Sequence, residues 1–198
     1  MNRGERRRQA ILAAATEVFL EKGFAGATLD DVIARSGGSR ATVYEQFGGT
    51  EGLFAAIIGA YCERITVPLA ADLTADRPPR QVLTAFALRF VQTMLEPESL
   101  ALFRVVAAEA ERFPKLGAQV FGAGPEPSAQ ALAAYLHTHL GIRKADAAAR
   151  IFLEMIKGDL HTRALFAVGP VPSTRAIGAM VGDAVRIFLD GAPPLRPA

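Results

Sequence analysis

The 198 residues contain a single cysteine, Cys62. One thiol excludes a disulfide framework and a cysteine metal set, and it suits a reducing cytosol. Cys62 reads as a small buried apolar residue of its helix. Long β-branched runs are also missing, while alanine and leucine are abundant, a balance that favours helix over strand. Charge of one sign is nearly absent in the sum: the formal net charge is +2, so the whole chain is not a polybasic partner for nucleic acid. No secretory signal is read, because Thr16 and Glu17 interrupt AILAAATEVFL and Gly23 ends its helical pattern. No apolar stretch reads as long enough to span a membrane, and the expected location is the cytoplasm. His137 and His139 are two apart and lie on different helix faces, so they make no helical metal pair, and His161 reads as a polar position in a helix interface. No nucleophile–base set, metal cluster or phosphate loop is found, so no enzyme activity, metal or cofactor is expected. No repeat occurs at solenoid period.

What is present is apolar content, 51% of the chain, enough for one large domain or two small ones. The N-terminus concentrates charge, with Arg3, Arg6, Arg7 and Arg8 against Glu5. That cluster is either a solvated, frayed end or an arm that meets an anion. Ile11, Ala15, Val18 and Phe19 then share one face of a helix from about Glu5 to Lys22, which Gly23 stops. Thr28 and Asp31 form a capping-box pattern for a second helix, with Asp30 and Asp31 in its first turn, where the helix dipole favours negative charge. Gly37 and Gly38 end it. Ser39 caps a third helix, Arg40–Phe47, whose inward positions are Val43 and Phe47; Gly48 and Gly49 close it. Thr50 is expected to cap a fourth, long helix reaching about Leu73, with Pro68 kinking or breaking it.

After the linker TADRPPR, helical pattern returns over Val82–Leu95, Ser99–Arg112, Pro114–Phe121, Pro127–Leu140, Lys144–Ala167 and Ser173–Leu189. The expected fold is all-α, with about nine helices. Its division is a helix-turn-helix domain over residues 1–50 and a second domain over 51–198, of which 51–73 is a linking helix.

Two short helices joined by a tight glycine turn read as a helix-turn-helix, whose second helix enters the DNA major groove. Arg40 sits at the start of that helix and can bridge guanine O6 and N7. Ala41 permits close approach, Glu45 can accept from cytosine N4, and Thr42 and Tyr44 offer hydroxyls to phosphate. Thr28 stands where the second helix presents backbone N–H groups to a phosphate.

The stretch RRQAILAAATEVFLEKGFAGATLDDVIARSGGSRATVYEQFGGTEGLFAAII, Arg7 to Ile58, resembles the N-terminal DNA-binding domain of the TetR family of transcriptional repressors. The resemblance implies three N-terminal helices, a linking helix and a larger helical ligand-binding and dimerisation domain. Carried over by position, it implies DNA contacts from Thr28, Arg40, Ala41, Thr42, Tyr44 and Glu45. Where the family commonly has a phosphate-binding lysine this chain has Thr50, and glycines at 48 and 49 replace the usual proline and small polar residue. Backbone N–H groups at Thr50 are the expected partial substitute. The stretch LFRVVAAEAERFPKLGAQVF, marked by Arg104, Glu109, Phe113 and Pro114, resembles the C-terminal domain of a TetR subgroup that includes efflux-linked regulators.

In the second half, bulky and soft side chains at helical spacing suit either a core or an apolar cavity between helices. The candidate ligand set is Phe86, Phe90, Met94, Phe103, Arg104, Phe152 and Met155. The last two long helices are the family's dimer elements, with Ile151, Phe152, Met155 and Leu160 on one and Ile177, Met180, Val181, Val185 and Phe188 on the other. The expected protein is a ligand-responsive repressor that binds a palindromic DNA operator as a homodimer and is released by a small apolar effector, with no membrane partner. An activator or a ligand-independent regulator of the same fold is the alternative, and a helical enzyme or carrier a more distant one.

Overall fold

A computed structural model describes residues 2–191. Every described element is a helix: α1 (Arg3–Gly26), α2 (Leu29–Ser36), α3 (Arg40–Phe47), α4 (Thr50–Leu73), α5 (Pro79–Met94), α6 (Pro97–Glu109), α7 (Pro114–Ala123), α8 (Pro125–Leu140), α9 (Ala145–Lys157), α10 (Leu160–Leu165) and α11 (Thr174–Asp190). The all-α expectation therefore holds, and so do most of the boundaries to within a few residues.

Three expectations are corrected or narrowed. The pattern over Lys144–Ala167 is two helices, because the backbone at Gly158 turns to φ 51°, ψ −140° and closes α9 at Lys157. A lone glycine inside an apolar periodic run gives no firm signal of a break, since helices tolerate it at modest cost. Of the two outcomes expected at Pro68, a kink or a break, the break does not occur: the residue sits inside a helix that continues to Leu73. A proline there removes one backbone hydrogen bond, and side-chain packing on both sides of it has to compensate. Finally, α4 is long and apolar enough to cross a membrane by length and composition alone. Its apolar positions have another use, since Leu53, Phe54, Ile57 and Ile58 lie in one protein core and Leu69 and Leu73 in another.

Packing divides the chain into two compact units. The first comprises the described residues up to Arg64 together with Ala101–Pro125, the second Ile65–Leu100 together with the residues from Glu126 onward. This division differs from one at residue 50: the first half of α4 packs with the N-terminal helices, and most of α6 and all of α7 join them.

The core of the first unit is built on aromatic rings. Phe19 meets Phe54 edge-on at 4.9 Å between centroids, Phe24 meets Phe54 at 5.1 Å, and Phe24 meets Phe113 at 4.9 Å. Edge-to-face pairs gain beyond their buried area because each ring's positive rim meets its neighbour's negative face. Ile11, Ala15, Val18, Leu53 and Val43 fill the rest of this core, each at 1% exposure or less. The joint between α3 and α4 is tighter still. A Cβ at Gly52 would overlap the backbone carbonyl oxygen of Phe47, so only glycine allows this approach.

The second unit packs α5, α8, α9 and α11 around Leu83, Phe86, Leu132, Leu136, Phe152, Ile156 and Val181. Phe152 lies against Phe188 at 4.7 Å. Of the positions assigned from sequence to a dimer face, Phe152, Ile177, Val181 and Val185 are buried within this core, which is a correction; Ile151 is exposed. Arg80 near the start of α5 donates to both carboxylate oxygens of Asp190 at the end of α11, at 2.7 and 2.8 Å. His161 on α10 is buried, and burial holds its pKa below the usual 6.5, with Lys157 adding to the shift and Glu154 opposing it.

Two predictions follow from these packings. Gly52→Ala should destabilise the protein by about 2 kcal/mol, measured by urea unfolding, because the obstacle is backbone and cannot rotate away. His161 is neutral in both folded and unfolded chains above its unfolded pKa, so it makes no pH-dependent contribution there. As pH falls through about 6.5 the unfolded chain takes up a proton that the folded chain resists, and stability drops until the lowered folded pKa is reached. Urea midpoints of wild type and His161→Gln should therefore run parallel above about pH 7.5 and converge or cross below about pH 6.5, with wild type losing more.

Candidate nucleic-acid interface

Helices α2 and α3 are fixed at their ends by local hydrogen bonds. Thr28 caps α2: its hydroxyl accepts from the Asp31 N–H at 3.2 Å, while the Asp31 carboxylate accepts from the Thr28 N–H at 3.1 Å and the Thr28 hydroxyl at 2.7 Å. Lys22 reaches the same carboxylate from α1 at 2.6 Å. These donors, Lys22 foremost, hold the Asp31 carboxyl down at about 2. Ser39 caps α3 by accepting from the Thr42 N–H at 3.2 Å, and the Ser39 and Thr42 hydroxyls lie 3.0 Å apart. At the other end Gly48 takes a left-handed conformation, φ 76°, and its N–H donates to the Tyr44 carbonyl at 2.8 Å.

Helix α3 is thus a stub of eight residues with one fully buried side chain, Val43 at 1% exposure. Phe47 is half-buried, and the Arg8 guanidinium of α1 lies over its ring at 4.7 Å from the centroid. With Val43 and Phe47 turned inward, helical spacing turns Arg40, Ala41, Tyr44 and Glu45 outward, and all four are exposed. Tyr44 is 57% exposed, an unusual setting for an aromatic ring on a short helix. Thr42 is half-buried beside its cap, Thr28 is exposed, and Thr50 is half-buried as the first residue of α4. The Gly49 carbonyl, one residue earlier than expected for the cap of α4, accepts from the Leu53 N–H at 2.9 Å.

The cations near this surface are unequally committed. Arg35 pairs with Glu21, one Nη1 contact measuring 2.9 Å, and lies 3.6 Å from Glu17. Arg40 donates from Nε to the Asp30 Oδ1 at 2.8 Å and from Nη2 to Oδ2. By contrast Arg3, Arg6 and Arg7 form no ion pair among the described residues. They line an open cleft of about 800 Å³ together with Gly4, Ala10, Thr42 and Gln46. Gln46 is not among the residues expected from sequence, and the arginines read there as either a solvated end or an arm that meets an anion. The available signal was their spacing at 3, 6 and 7, which puts all three on one face of α1.

The candidate ligand residues are not gathered in the same way. Phe86, Phe90, Met94, Phe152 and Met155 belong to the second unit, whereas Phe103 and Arg104 belong to the first and are exposed. Phe86 and Phe152 are at 0% exposure, so no water-sized space adjoins either ring. Their stacked or tilted neighbours Phe90, at 6.2 Å from Phe86, and Phe188 occupy those faces.

The family model of bacterial regulatory proteins of the tetR family matches residues 11–57, the segment that carries α2 and α3. A second model, the C-terminal domain of AefR-like transcriptional repressors, matches residues 81–191, more than half the chain. The chain belongs to the TetR family. It is a helix-turn-helix transcriptional regulator. The HTH-type transcriptional activator FasR of Mycolicibacterium smegmatis is 28% identical over 118 residues, 60% of this chain and 53% of that protein. The chain spans about half the length, or less, of the first curated relatives it matches. A TetR-family transcriptional regulator from Mesorhizobium loti shares the fold of this TetR-family chain with a TM-score of 0.85 at 24% identity, covering 96% of this chain and 98% of that one. The structure of the flavonoid-responsive regulator FrrA aligns with a TM-score of 0.79 at 28% identity, covering 93% and 96%.

Proposed function

We propose that this TetR-family regulator is a homodimeric repressor that reads a pseudo-palindromic operator with α3 and is released by a small apolar effector. The observation that carries the reading is the outward arc of Arg40, Ala41, Tyr44 and Glu45 on a helix anchored from behind by Val43. A helix so placed meets the major groove with its N-terminal residues at base edges. Two such helices have to stand about 34–36 Å apart to enter successive grooves, which requires a pair of subunits. Ile151 on the outer side of α9 and the open flank at Gly178 and Gly182 on α11 support a helix–helix contact between copies. The operator places the protein with the chromosome in the cytoplasm.

Arg3, Arg6 and Arg7 act in this reading as a phosphate cradle beside α3, a role that Thr50 with its neighbouring backbone N–H groups shares. The proposed effector site lies in the second unit, at the half-buried Met94 and Met155 and at Phe90. Binding there has to part the ring pairs around Phe86 and Phe152, because those rings are fully enclosed. That requirement supports release by selection of a second state: the effector binds only where the core has opened, and α4, which contributes residues to both units, carries the change. FrrA, described as flavonoid-responsive, supports an apolar effector. FasR, described as an activator, supports a second reading in which the same dimer recruits rather than blocks transcription.

Gel-shift titration on duplex DNA flanking the protein's own gene tests the proposal. Arg40→Ala should relax preference at one base position by about tenfold, while Tyr44→Ala lowers affinity for all duplexes alike. Equal operator affinity of wild type and both variants would remove α3 from the interface. Separately, Arg6→Ala with Arg7→Ala should flatten the slope of log affinity against log salt by about one unit per lost phosphate contact; an unchanged slope would exclude the cradle.

A further inference from the structure

We infer that Asp30 is a positioning residue for base recognition, buttressing the Arg40 guanidinium so that one of its edges is presented to guanine. The inference rests on the reading of α3 as the groove-entering helix. Arg40 is the first residue of α3 and Asp30 the second of α2, ten positions earlier. The carboxylate takes the Nε–Nη2 edge of the guanidinium in a fork-to-fork grip, Oδ1 on Nε and Oδ2 on Nη2. A guanidinium has five N–H groups in one plane. The grip uses two of them and leaves the Nη1–Nη2 edge, whose two parallel donors match guanine O6 and N7.

Both side chains are open to water, at 64% and 65% exposure, so the pair is not there for stability: exposed ion pairs contribute little. A carboxylate on a surface that faces phosphate also works against DNA attraction, so as a mere ion pair Asp30 would only weaken binding. What the grip does accomplish is geometric. An arginine with four rotatable bonds loses freedom when it binds a base edge, and one held beforehand in the productive plane loses less. Asp30 itself is anchored by its place in the first turn of α2, where the helix dipole and the Thr28 cap fix the backbone.

Removing the carboxylate therefore has two opposite effects. Sequence-independent affinity rises because a repelling charge has gone, and discrimination falls because the fork is no longer oriented. The test uses the full-length protein and a pool of duplexes with a randomised centre of about 20 base pairs, selected in parallel with wild type, Asp30→Asn, Arg40→Lys and Arg40→Ala, each checked for a cooperative melting curve. Asp30→Ser, which keeps a first-turn hydrogen-bonding side chain, replaces Asp30→Asn if the latter melts early. The expected result for Asp30→Asn is about a threefold gain on unselected DNA with a fall of about tenfold in guanine preference at one position per half-site, the position that Arg40→Lys also loses. Asp30 acts only by repulsion, and the inference is overturned, if Asp30→Asn strengthens selected and unselected duplexes by the same factor with preference intact. It is equally overturned if Asp30→Asn changes neither quantity while Arg40→Ala abolishes the preference. If instead Arg40→Ala keeps the wild-type preference at every position, it is the groove assignment of α3 that fails, and the buttress with it.

Discussion

The burial of one valine carries an unusual share of this structure. Helix α3 is eight residues long, and among them Val43 alone is fully enclosed. A helix of two turns is not stable by itself, because nucleation consumes most of what its few hydrogen bonds return. Its persistence and its rotation about its own axis are set from outside: by Val43 in the aromatic core around Phe19 and Phe54, by the Ser39 cap, and by the close approach of Gly52 to the Phe47 carbonyl. Turn that helix by one residue and Tyr44 would point inward while Val43 faced solvent. Reading DNA with α3 presupposes that rotation.

Charge near α3 is sorted by partner rather than by amount. The net charge of +2 hides a surface on which Lys22, Arg35 and Arg40 each hold a carboxylate while three N-terminal arginines hold none among the described residues. Paired cations are fixed in direction and suited to reading. Cations without a carboxylate partner are suited to following a phosphate chain, which has no direction to read. The unpaired arginines lie at the start of α1, whereas the paired cations lie at its far end, Lys22, and on α2 and α3, Arg35 and Arg40.

Much of this is legible in the sequence. The Thr28–Asp31 box, Ser39 and Gly48 mark helix ends through chemistry confined to three or four neighbouring residues, and each does so in the structure, while Gly23, at φ 70° and ψ 174°, kinks α1, which resumes to Gly26. The Val43–Phe47 spacing likewise announces which side of α3 turns inward. The break at Gly158 was hidden because its flanks, Ile156 and Leu160, continue an apolar pattern that one helix or two would satisfy equally. The burial of Phe152, Ile177, Val181 and Val185 within their own chain was hidden for a related reason: periodicity shows that a face is apolar but not what covers it.

Local chemistry, then, decided where most helices of this TetR-family chain begin and end, the break at Gly158 excepted, which of their faces are apolar, and that an outward arc of Arg40, Ala41, Tyr44 and Glu45 exists. Those properties depend on residues within a turn or two of one another. Only tertiary structure decided that Asp30 holds Arg40, that Arg3, Arg6 and Arg7 face Thr42 and Gln46 across a cleft, and that Gly52 has no room for a methyl group. Each of those is a meeting of separate helices, set by how side chains of different volume pack together, and no spacing along one helix records it.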